Sequence, residues 1–326
     1  MGSVFISRAI PGDAPGLLAA AGHSVEQWPE DLPAPRDALA AALARSDAAI
    51  TMVVDHIDGG MLAAAPRLRI IANMAVGFDN VDPLVAADAG VWLTNTPGVL
   101  AETSADFAFG LMLALARQVV ASAADTRSGG WKSWTPTAFL GTDVHGATLG
   151  VVGMGEIGEA MARRASGFGM KVLYASRTRK PELEDRLACR WSPLDALLGQ
   201  ADFVSLHTPL NAETHHLLGP TQFRSMKPSA MLINTSRGAV VDQDALVAAL
   251  RSGNLAGAAL DVTDPEPLPL DHPLFALPNV IITPHIASAS LATRSKMAAM
   301  AANNVIAVLE GCEPYNPVNR PLHPRV

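Results

Sequence analysis

The chain has 326 residues, of which 49% are hydrophobic and 17% are charged, so it can bury a large core and is not expected to be disordered. This length predicts two domains of ordinary size. The formal net charge of −7 and the pI near 5.7 argue against a nucleic-acid-binding protein, which would usually carry a basic face.

Short apolar runs alternate with alanine-rich helical patterns over the first hundred residues. The runs predict strands at 4–7, 48–54, 67–74 and 91–95. Alternation of strands and helices at this spacing indicates βαβ units and a parallel sheet. Residues 99–120 then predict one long helix with an apolar body.

The next stretch, 121–147, departs from this alternation, because it carries several glycines together with Trp131 and Trp134. We expect it to be an excursion from the body of a domain. A second strand–helix series begins at Thr148, ends with a strand within 279–286, and is followed by a predicted helix over 289–310. The expected domains are therefore 98–288, and 1–97 together with 289–326.

Cysteine usage and the N-terminal residues bear on the compartment. Cys189 and Cys312 form neither a disulfide framework nor a zinc-binding spacing with the histidines, so no metal is expected and a reducing environment fits. The N-terminus lacks a secretory or myristoylation pattern, and no apolar run reaches the roughly 18 residues of a membrane span. We expect a cytoplasmic protein with neither a membrane nor a nucleic-acid partner.

A glycine-rich turn follows the apolar strand TLGVV and opens a helical pattern. Its residues are Gly153, Met154, Gly155, Glu156, Ile157 and Gly158. In dinucleotide-binding folds the first glycine permits a tight turn, the second admits the pyrophosphate, and the third lets helix and strand pack closely. N–H groups at the helix N-terminus then attract the phosphates. The strand–turn–helix context predicts a dinucleotide cofactor.

The cofactor's ribose is expected to meet the end of the next strand, where many such proteins have a carboxylate for the 2′-hydroxyl. This chain has Ser176 there, followed by Arg177, Thr178 and Arg179. Arginine pairs bidentately with phosphate, and the serine removes a charge that would repel it. The turn therefore predicts a preference for NADPH, with NADH still possible; the alternative is that these cations are only solvated loop residues.

Three further polar segments each follow an apolar strand. They contain Arg237, Glu266 and His285. Because ligands of open parallel sheets bind beyond the carboxyl ends of the strands, the fold would gather these side chains near the cofactor. A histidine beside a carboxylate can donate a proton, and an arginine can hold a carboxylate and polarise a carbonyl. Taken singly, each also has a structural explanation, such as an ion pair, a loop charge or a core imidazole.

Together these segments resemble the D-isomer-specific 2-hydroxyacid dehydrogenases, and most closely their glyoxylate/hydroxypyruvate reductase branch. The resemblance covers about 67–319 and rests on six stretches: ANMAVGFDNVD, TNTPGVLAETSADFAFGLMLALAR, FLGTDVHGATLGVVGMGEIG, HTPL, INTSRGAVVD and TPHIASAS. It implies an α/β protein with a Rossmann-type doubly wound parallel sheet in the nucleotide-binding domain and a smaller flavodoxin-like substrate, or lid, domain.

The resemblance also implies site roles. His285 would donate the proton to a 2-oxoacid substrate, Glu266 would keep it protonated and oriented, and Arg237, with the backbone of Val76 and Gly77, would bind the substrate. The remaining cofactor contacts would fall on Thr208, Pro209, Thr235, Ser236, Asp261 and Ala287. The excursion at 121–147 would embrace a second subunit in a homodimer, with Trp134 closing the neighbour's active site.

The expected reaction is reduction of glyoxylate to glycolate and of hydroxypyruvate to D-glycerate. One alternative is another specificity within the family, such as D-lactate, phosphoglycerate or an aromatic 2-hydroxyacid. A second alternative, from another class, is a non-enzymatic co-repressor that senses NAD(H), because such proteins can keep the same three catalytic side chains.

Overall fold

The structure is a computed structural model that describes residues 1–325. By its internal contacts the chain forms two compact units. Unit 1 comprises Met1–Leu100 and Ala289–Val326, and unit 2 comprises Ala101–Ser288.

Twelve strands occur in the described residues. In chain order they are β1 Ser3–Ile6, β2 Ser24–Gln27, β3 Ala48–Thr51, β4 Ile70–Asn73, β5 Trp92–Thr94, β6 Thr148–Val152, β7 Lys171–Ala175, β8 Cys189–Trp191, β9 Phe203–Leu206, β10 Met231–Asn234, β11 Gly257–Leu260 and β12 Val280–Ile282.

Over residues 1–325, twelve α-helices and two short 3₁₀ helices accompany these strands. The α-helices are α1 Ala14–Ala20, α2 Arg36–Arg45, α3 Gly59–Ala63, α4 Pro83–Asp88, α5 Ala101–Ala116, α6 Val119–Arg127, α7 Glu156–Ser166, α8 Pro181–Leu187, α9 Leu194–Leu198, α10 Pro220–Ser225, α11 Gln243–Ser252 and α12 Leu291–Leu309. The 3₁₀ helices are Gly238–Val240 and Pro273–Ala276.

Unit 1 is built on a parallel sheet with strand order β2-β1-β3-β4-β5, the order found in flavodoxin-like folds. On one face Phe5, Leu43, Ile71 and Leu93 belong to a single buried cluster. Helix α12 packs against α1, β3 and β4. The expected flavodoxin-like unit is confirmed.

Unit 2 is built on a parallel sheet with strand order β12-β11-β10-β9-β6-β7-β8. Successive residues of its strands belong to opposite faces: Val151 and Ile233 lie in one buried cluster, and Val152 and Leu232 lie in the other. Both faces are therefore covered, as in Rossmann-type doubly wound sheets. The strand order reverses between β6 and β9, which is the point where such folds bind ligands.

The single long helix predicted over 99–120 is wrong. Helix α5 ends at Ala116, and α6 begins at Val119 after Gln118, whose φ of 51° lies in the left-handed region. The returning chain stabilises this break, since Thr142 N donates to Ala116 O at 2.8 Å and Gln118 Nε2 donates to Leu140 O at 2.7 Å. Tertiary contacts of this kind leave no local sequence signal.

Helix α5 is a core helix with eight buried side chains. Within residues 1–325, no single helix is both long and apolar enough to cross a membrane. By length and composition alone, α5 and α6 pass that test as a pair, with a bend of 64° between them. Mostly buried core helices of soluble proteins pass the same test.

Two strands, β2 and β8, were not expected from the sequence. Both lie at sheet edges, and half or more of their side chains are exposed, so neither forms an apolar run. On the other edge of unit 1 the proline-rich tail runs along β5: Val318 N donates to Leu93 O at 2.8 Å, and Leu93 N donates to Asn319 Oδ1 at 2.8 Å. The tail thus covers an edge that would otherwise be open.

Candidate active site

The glycine turn after β6 lies at the point where the strand order of unit 2 reverses. Gly153 has φ 96°, and a Cβ added to it would lie 2.6 Å from the carbonyl atoms of His207. A Cβ on Gly158 would lie 2.1 Å from Gly153 O. A larger side chain would clash with the backbone of His207 at the first position and with that of Gly153 at the second. Both positions therefore need the glycine that the dinucleotide-binding fingerprint places there.

Gly155 differs from these two glycines, because nothing lies within 4 Å of a Cβ built on it. It is the N-cap residue of α7, and no side chain caps that helix end. The first turn of an α-helix carries N–H groups without intrahelical partners, and these attract anions. The backbone of Gly155, Glu156 and Ile157 therefore forms an open surface that fits a pyrophosphate.

Two buried hydroxyl groups lie at the carboxyl ends of the neighbouring strands. Thr208 Oγ1 follows β9 and Thr235 Oγ1 follows β10, and neither has a hydrogen-bond partner in the described residues. A buried hydroxyl without a partner costs free energy, so such groups usually face a ligand or water. Both positions were predicted to contact the cofactor, and the residues present fit a dinucleotide.

His207 lies directly before Thr208 and is the neighbour that excludes a side chain at Gly153. Its Nε2 lies 2.9 Å from Ser205 Oγ. Burial lowers the pKa of His207 to about 4, because the charged imidazolium would lose its hydration. The imidazole is therefore neutral at physiological pH.

His285 and Glu266 form a close pair. His285 Nδ1 lies 2.6 Å from Glu266 Oε1, and the two side chains are 28% and 33% exposed. The contact uses Nδ1, so Nε2 is the nitrogen left to exchange a proton with a ligand. His285 also has φ 54°, a left-handed conformation that costs about 1–3 kcal/mol in a non-glycine residue and is typical of functional sites.

Asp261 holds the turn that carries His285. Asp261 is 1% exposed, and its carboxylate accepts from Thr283 Oγ1 at 2.6 Å, Ile286 N at 2.9 Å and Ala287 N at 2.7 Å. His285 N donates to the Asp261 carbonyl at 2.9 Å. Three donors on one buried carboxylate fix the backbone on both sides of His285. The predicted cofactor contacts of Asp261 and Ala287 stay predictions.

Arg237 follows β10 in a loop that is ordered by Asn234. Asn234 Nδ2 donates to Arg237 O at 2.9 Å, while Ser236 N and Oγ donate to Asn234 Oδ1 at 3.0 and 2.9 Å. A Cβ on Gly238 would lie 2.0 Å from the backbone of Thr263. The Arg237 loop therefore packs directly on the loop that leads from β11 to Glu266.

In unit 1, two asparagines hold the backbone of Val76 and Gly77. Asn73 Nδ2 donates to Gly77 O at 2.9 Å, and Asn95 Nδ2 donates to Val76 O at 2.8 Å. Asn73 is fully buried at the end of β4. The Val76 carbonyl shares its peptide unit with the Gly77 N–H, so Asn95 fixes the direction of that donor. The unit that carries the Val76 N–H is fixed by Thr96 N, which donates to Ala75 O at 2.8 Å. Their predicted role as donors to a carboxylate stays a prediction.

The excursion after α5 is exposed along almost its whole length. Helix α6 has no buried residue, and Trp131 and Trp134 are 68% and 79% exposed. Phe139 and Leu140 add further exposed apolar surface. The predicted role of this segment in a homodimer stays a prediction.

The turn after β7 contains Ser176, Arg177 and Thr178, and the two residues after Ser176 are exposed. Within the turn, Ser176 Oγ donates to Thr178 O at 2.7 Å. Arg179 is paired with Glu184, whereas Arg177 has a charged neighbour, Glu213, at 3.8 Å. The two arginines predicted to read a 2′-phosphate therefore have different surroundings.

Sequence reasoning missed several residues that position the site. They are Asn73, Asn95, Glu184, Asn234 and Gly238. Asn73 and Asn234 are the last residues of buried strands, and a polar residue at that place is a signal that could have identified them. Gly238 gives no such signal, because its need for a glycine comes from a loop 25 residues further along the chain.

The model of the D-isomer specific 2-hydroxyacid dehydrogenase NAD-binding domain matches residues 109–287. A glyoxylate reductase from Korarchaeum cryptofilum is 49% identical over 319 residues, covering 97% of this chain and 96% of the relative. The chain belongs to the D-isomer-specific 2-hydroxyacid dehydrogenases. Membership makes it an oxidoreductase that uses a nicotinamide cofactor, as the sequence predicted.

Solved structures agree with this assignment. A protein from Thermus thermophilus superposes with a TM-score of 0.91 at 49% identity and covers 97% of this chain and 99% of its own. An NADPH-dependent glyoxylate/hydroxypyruvate reductase from Sinorhizobium meliloti, in complex with citrate, has a TM-score of 0.85 at 31% identity and covers 98% of both chains. The two-domain Rossmann-type architecture expected from the sequence is confirmed.

Proposed function

We propose that the protein is an NADPH-preferring reductase that converts glyoxylate to glycolate and hydroxypyruvate to D-glycerate. The observation that carries this proposal is the 2.6 Å contact between His285 and Glu266 on a turn fixed by Asp261. The proposal is supported by relatives named glyoxylate reductase at up to 49% identity and by the NADPH-dependent structural relative.

The chemistry assigns one role to each group. The glycine turn and the strand ends would hold a reduced nicotinamide, which would supply the hydride for the carbonyl carbon. His285, protonated at both nitrogens, gives the proton on Nε2 to the carbonyl oxygen, which becomes the hydroxyl of the product. Glu266 accepts from Nδ1 and stabilises the charged imidazole before transfer. Charge and atoms balance, because one hydride and one proton add across the C=O bond.

Substrate binding is assigned to Arg237 and to the N–H groups of Val76 and Gly77. Arg237 holds the carboxylate of the 2-oxoacid and polarises the neighbouring carbonyl. The N–H groups of Val76 and Gly77 lie on peptide units that Thr96 and Asn95 hold, and they are donors of the kind that binds a carboxylate.

The excursion is assigned to a homodimer in which Trp134 covers the active site of the partner subunit. Support comes from the exposure of Trp131, Trp134 and the rest of this segment. Two inactive variants test this arrangement when they are mixed. A Trp134→Ala subunit keeps its own His285, and a His285→Ala subunit supplies the missing tryptophan, so refolding them together should restore activity. No restoration would contradict the assignment of Trp134 to the partner's site.

We also propose that the protein acts in the cytoplasm. Cys189 and Cys312 are both free thiols, which fits a reducing compartment. Fractionation of cells that produce the protein should recover the activity with cytoplasmic markers.

Paired kinetics test the proposed reaction most directly. Glyoxylate, hydroxypyruvate, pyruvate and phenylpyruvate are each assayed with NADPH and NADH by the loss of reduced-nicotinamide absorbance. We expect the highest kcat/KM for glyoxylate or hydroxypyruvate with NADPH. A higher value for pyruvate or phenylpyruvate would indicate another specificity of the family, and no turnover with any of the four would favour a non-enzymatic NAD(H)-sensing protein.

A further inference from the structure

The turn between β7 and α8 carries two arginines of the same chemical type in different settings. Strand β7 ends at Ala175, and α8 begins at Pro181. Between them, Arg177 and Arg179 are separated by a single residue. Their contacts decide which of them is available to a ligand.

Arg179 is committed to Glu184 of α8. Its Nε donates to Glu184 Oε1 and its Nη2 to Oε2, both at 2.7 Å. This is the bidentate geometry in which arginine and carboxylate pair most strongly. Releasing Arg179 for a ligand would leave Glu184 without its cation.

Glu184 is more than a partner of Arg179, because it ties the turn to the core. The Tyr174 hydroxyl donates to Glu184 Oε1 at 2.9 Å and accepts from Lys180 N at 2.7 Å. Tyr174 is fully buried, and the Glu184 side chain is only 14% exposed. The pair with Arg179, the largest cause, lowers the pKa of Glu184 to about 2, so this carboxylate stays charged at physiological pH.

Arg177 has no such commitment. Its side chain is 84% exposed, and its charged neighbour, Glu213, is 75% exposed at 3.8 Å, beyond hydrogen-bond distance. An ion pair whose two side chains are this exposed and this far apart contributes little to the stability of the fold. Arg177 can therefore turn toward an anion without breaking a contact that holds the fold.

We propose that Arg177 alone recognises the 2′-phosphate of the cofactor, whereas Arg179, together with Glu184 and Tyr174, is a strut that fixes the shape of the turn. This division of roles rests on the proposed preference for NADPH. The family fingerprint treats both arginines alike, but the bidentate pairing of one and the exposure of the other separate them.

The strut also explains why an exposed arginine can be selective. A long side chain on a mobile loop would lose conformational freedom on binding and gain little. Here the backbone on both sides of Arg177 is held, by Ser176 Oγ on Thr178 O at 2.7 Å and by the Tyr174–Lys180 contact. Only the side chain of Arg177 must become ordered when the phosphate arrives.

Equilibrium binding of two nucleotide fragments tests the division without any turnover. The full chain is titrated calorimetrically with 2′,5′-ADP, which carries the additional phosphate, and with 5′-AMP, which lacks it. Arg177→Ala should weaken 2′,5′-ADP by about tenfold or more, because it removes a charge-assisted contact, and should change 5′-AMP by less than about twofold. Its Tm should equal that of the wild type.

The matched variant is Arg179→Ala, which should lower the Tm and weaken 2′,5′-ADP only through the loss of order around Arg177, so in the Arg177→Ala background it should change both fragments by the same factor. Glu184→Gln keeps the charge of Arg179 while removing its partner, and it should weaken 2′,5′-ADP by about the same factor as Arg179→Ala. Arg179→Lys retains a cation opposite Glu184 and serves if the alanine variant does not fold. It should preserve the ratio of the two affinities.

Three results would overturn the proposal. A loss confined to 2′,5′-ADP that Arg179→Ala still causes in the Arg177→Ala background, or a gain for that fragment in Glu184→Gln, would make Arg179 the residue that recognises the phosphate. A selective loss in Arg179→Ala without a matching loss in Glu184→Gln would show shared recognition. A wild-type chain that binds both fragments equally would overturn the NADPH preference as well. Because no 2-oxoacid is present in this experiment, a failure of the substrate assignment would leave its readout intact.

Discussion

Two turns at the carboxyl edge of the same sheet use one carboxylate each, in different ways. Asp261 is buried and accepts only from neutral groups, two backbone N–H groups and a hydroxyl, on either side of His285. Glu184 lies near the surface and accepts from a guanidinium and a phenol. The first turn carries the proposed proton donor, and the second carries the proposed reader of the cofactor's phosphate.

Because different residues hold the two turns, the proposed catalytic group and the proposed cofactor-selecting residue occupy separate parts of the sheet edge. The Asp261 turn is held by two backbone N–H donors and the Thr283 hydroxyl, and it keeps His285 in a left-handed conformation. The Glu184 turn is held by side chains that substitution can exchange. Cofactor preference can therefore change without disturbing the proposed proton donor.

The largest expected effect is that of His285→Ala, which removes the proposed proton donor and leaves the other turn untouched. General acid catalysis contributes about 10²–10⁴-fold, so kcat should fall by that factor while the Kd for NADPH stays within about twofold. Steady-state kinetics and fluorescence titration measure the two quantities. His323→Ala, an exposed histidine near the C-terminus, is the matched control and should leave both unchanged. An unaltered kcat in His285→Ala would refute the assigned role.

Asp261→Asn should have the next largest effect, because it turns one acceptor oxygen into a donor that faces buried N–H groups. Leaving such groups unsatisfied costs about 1–3 kcal/mol, and we expect a lower Tm together with a loss in kcat of about tenfold to a hundredfold. Asp271→Asn, at an exposed position, controls for the charge change. A variant with reduced Tm but wild-type kcat would mean that the turn stabilises the fold without orienting His285.

Much of the fold could be predicted from the sequence, because buried parallel strands form continuous apolar runs. The sequence predicts all three strands that lead to Gly153, Arg237 and His285. The edge strands β2 and β8 were not, since exposed side chains interrupt their apolar pattern. The break at Gln118 also escaped prediction, because its stabilising partners lie more than twenty residues away at Leu140 and Thr142.

The site was predictable as a set of side chains but not as a set of contacts. The resemblance assigned Arg237, Glu266 and His285, and the structure adds that Glu266 contacts Nδ1 rather than Nε2 of the histidine. Composition could not distinguish Arg177 from Arg179, since both follow the same strand and an acidic helix starts next to them. That distinction depends on which guanidinium reaches Glu184, which is a matter of three-dimensional geometry.

Glu266→Gln should have a smaller effect than either variant above, because glutamine keeps an acceptor near Nδ1 and loses only the charge. We expect kcat to fall by about tenfold, the scale of one charge-assisted hydrogen bond, with no change in Tm. Glu266→Ala, which removes acceptor and charge together, should lose more. If the two variants lose the same factor, the charge of Glu266 accounts for its whole contribution, and orientation of the ring rests with Asp261 alone.

The smallest effect concerns His207, whose strand lies between those that lead to the two turns. Its pKa is lowered to about 4 by burial, whereas an unfolded histidine titrates near 6.5, so the unfolded state binds the extra proton first as pH falls. The contribution of the neutral His207 to the free energy of unfolding is therefore complete above about pH 6.5, and it is lost as the pH falls from about 6.5 to 4. Between pH 7 and 5.5 the free energy of unfolding should fall by about 1 kcal/mol on this account. His207→Gln should reduce that slope in urea titrations and His323→Gln should not, while an unchanged slope in His207→Gln would show that the proton is taken up elsewhere.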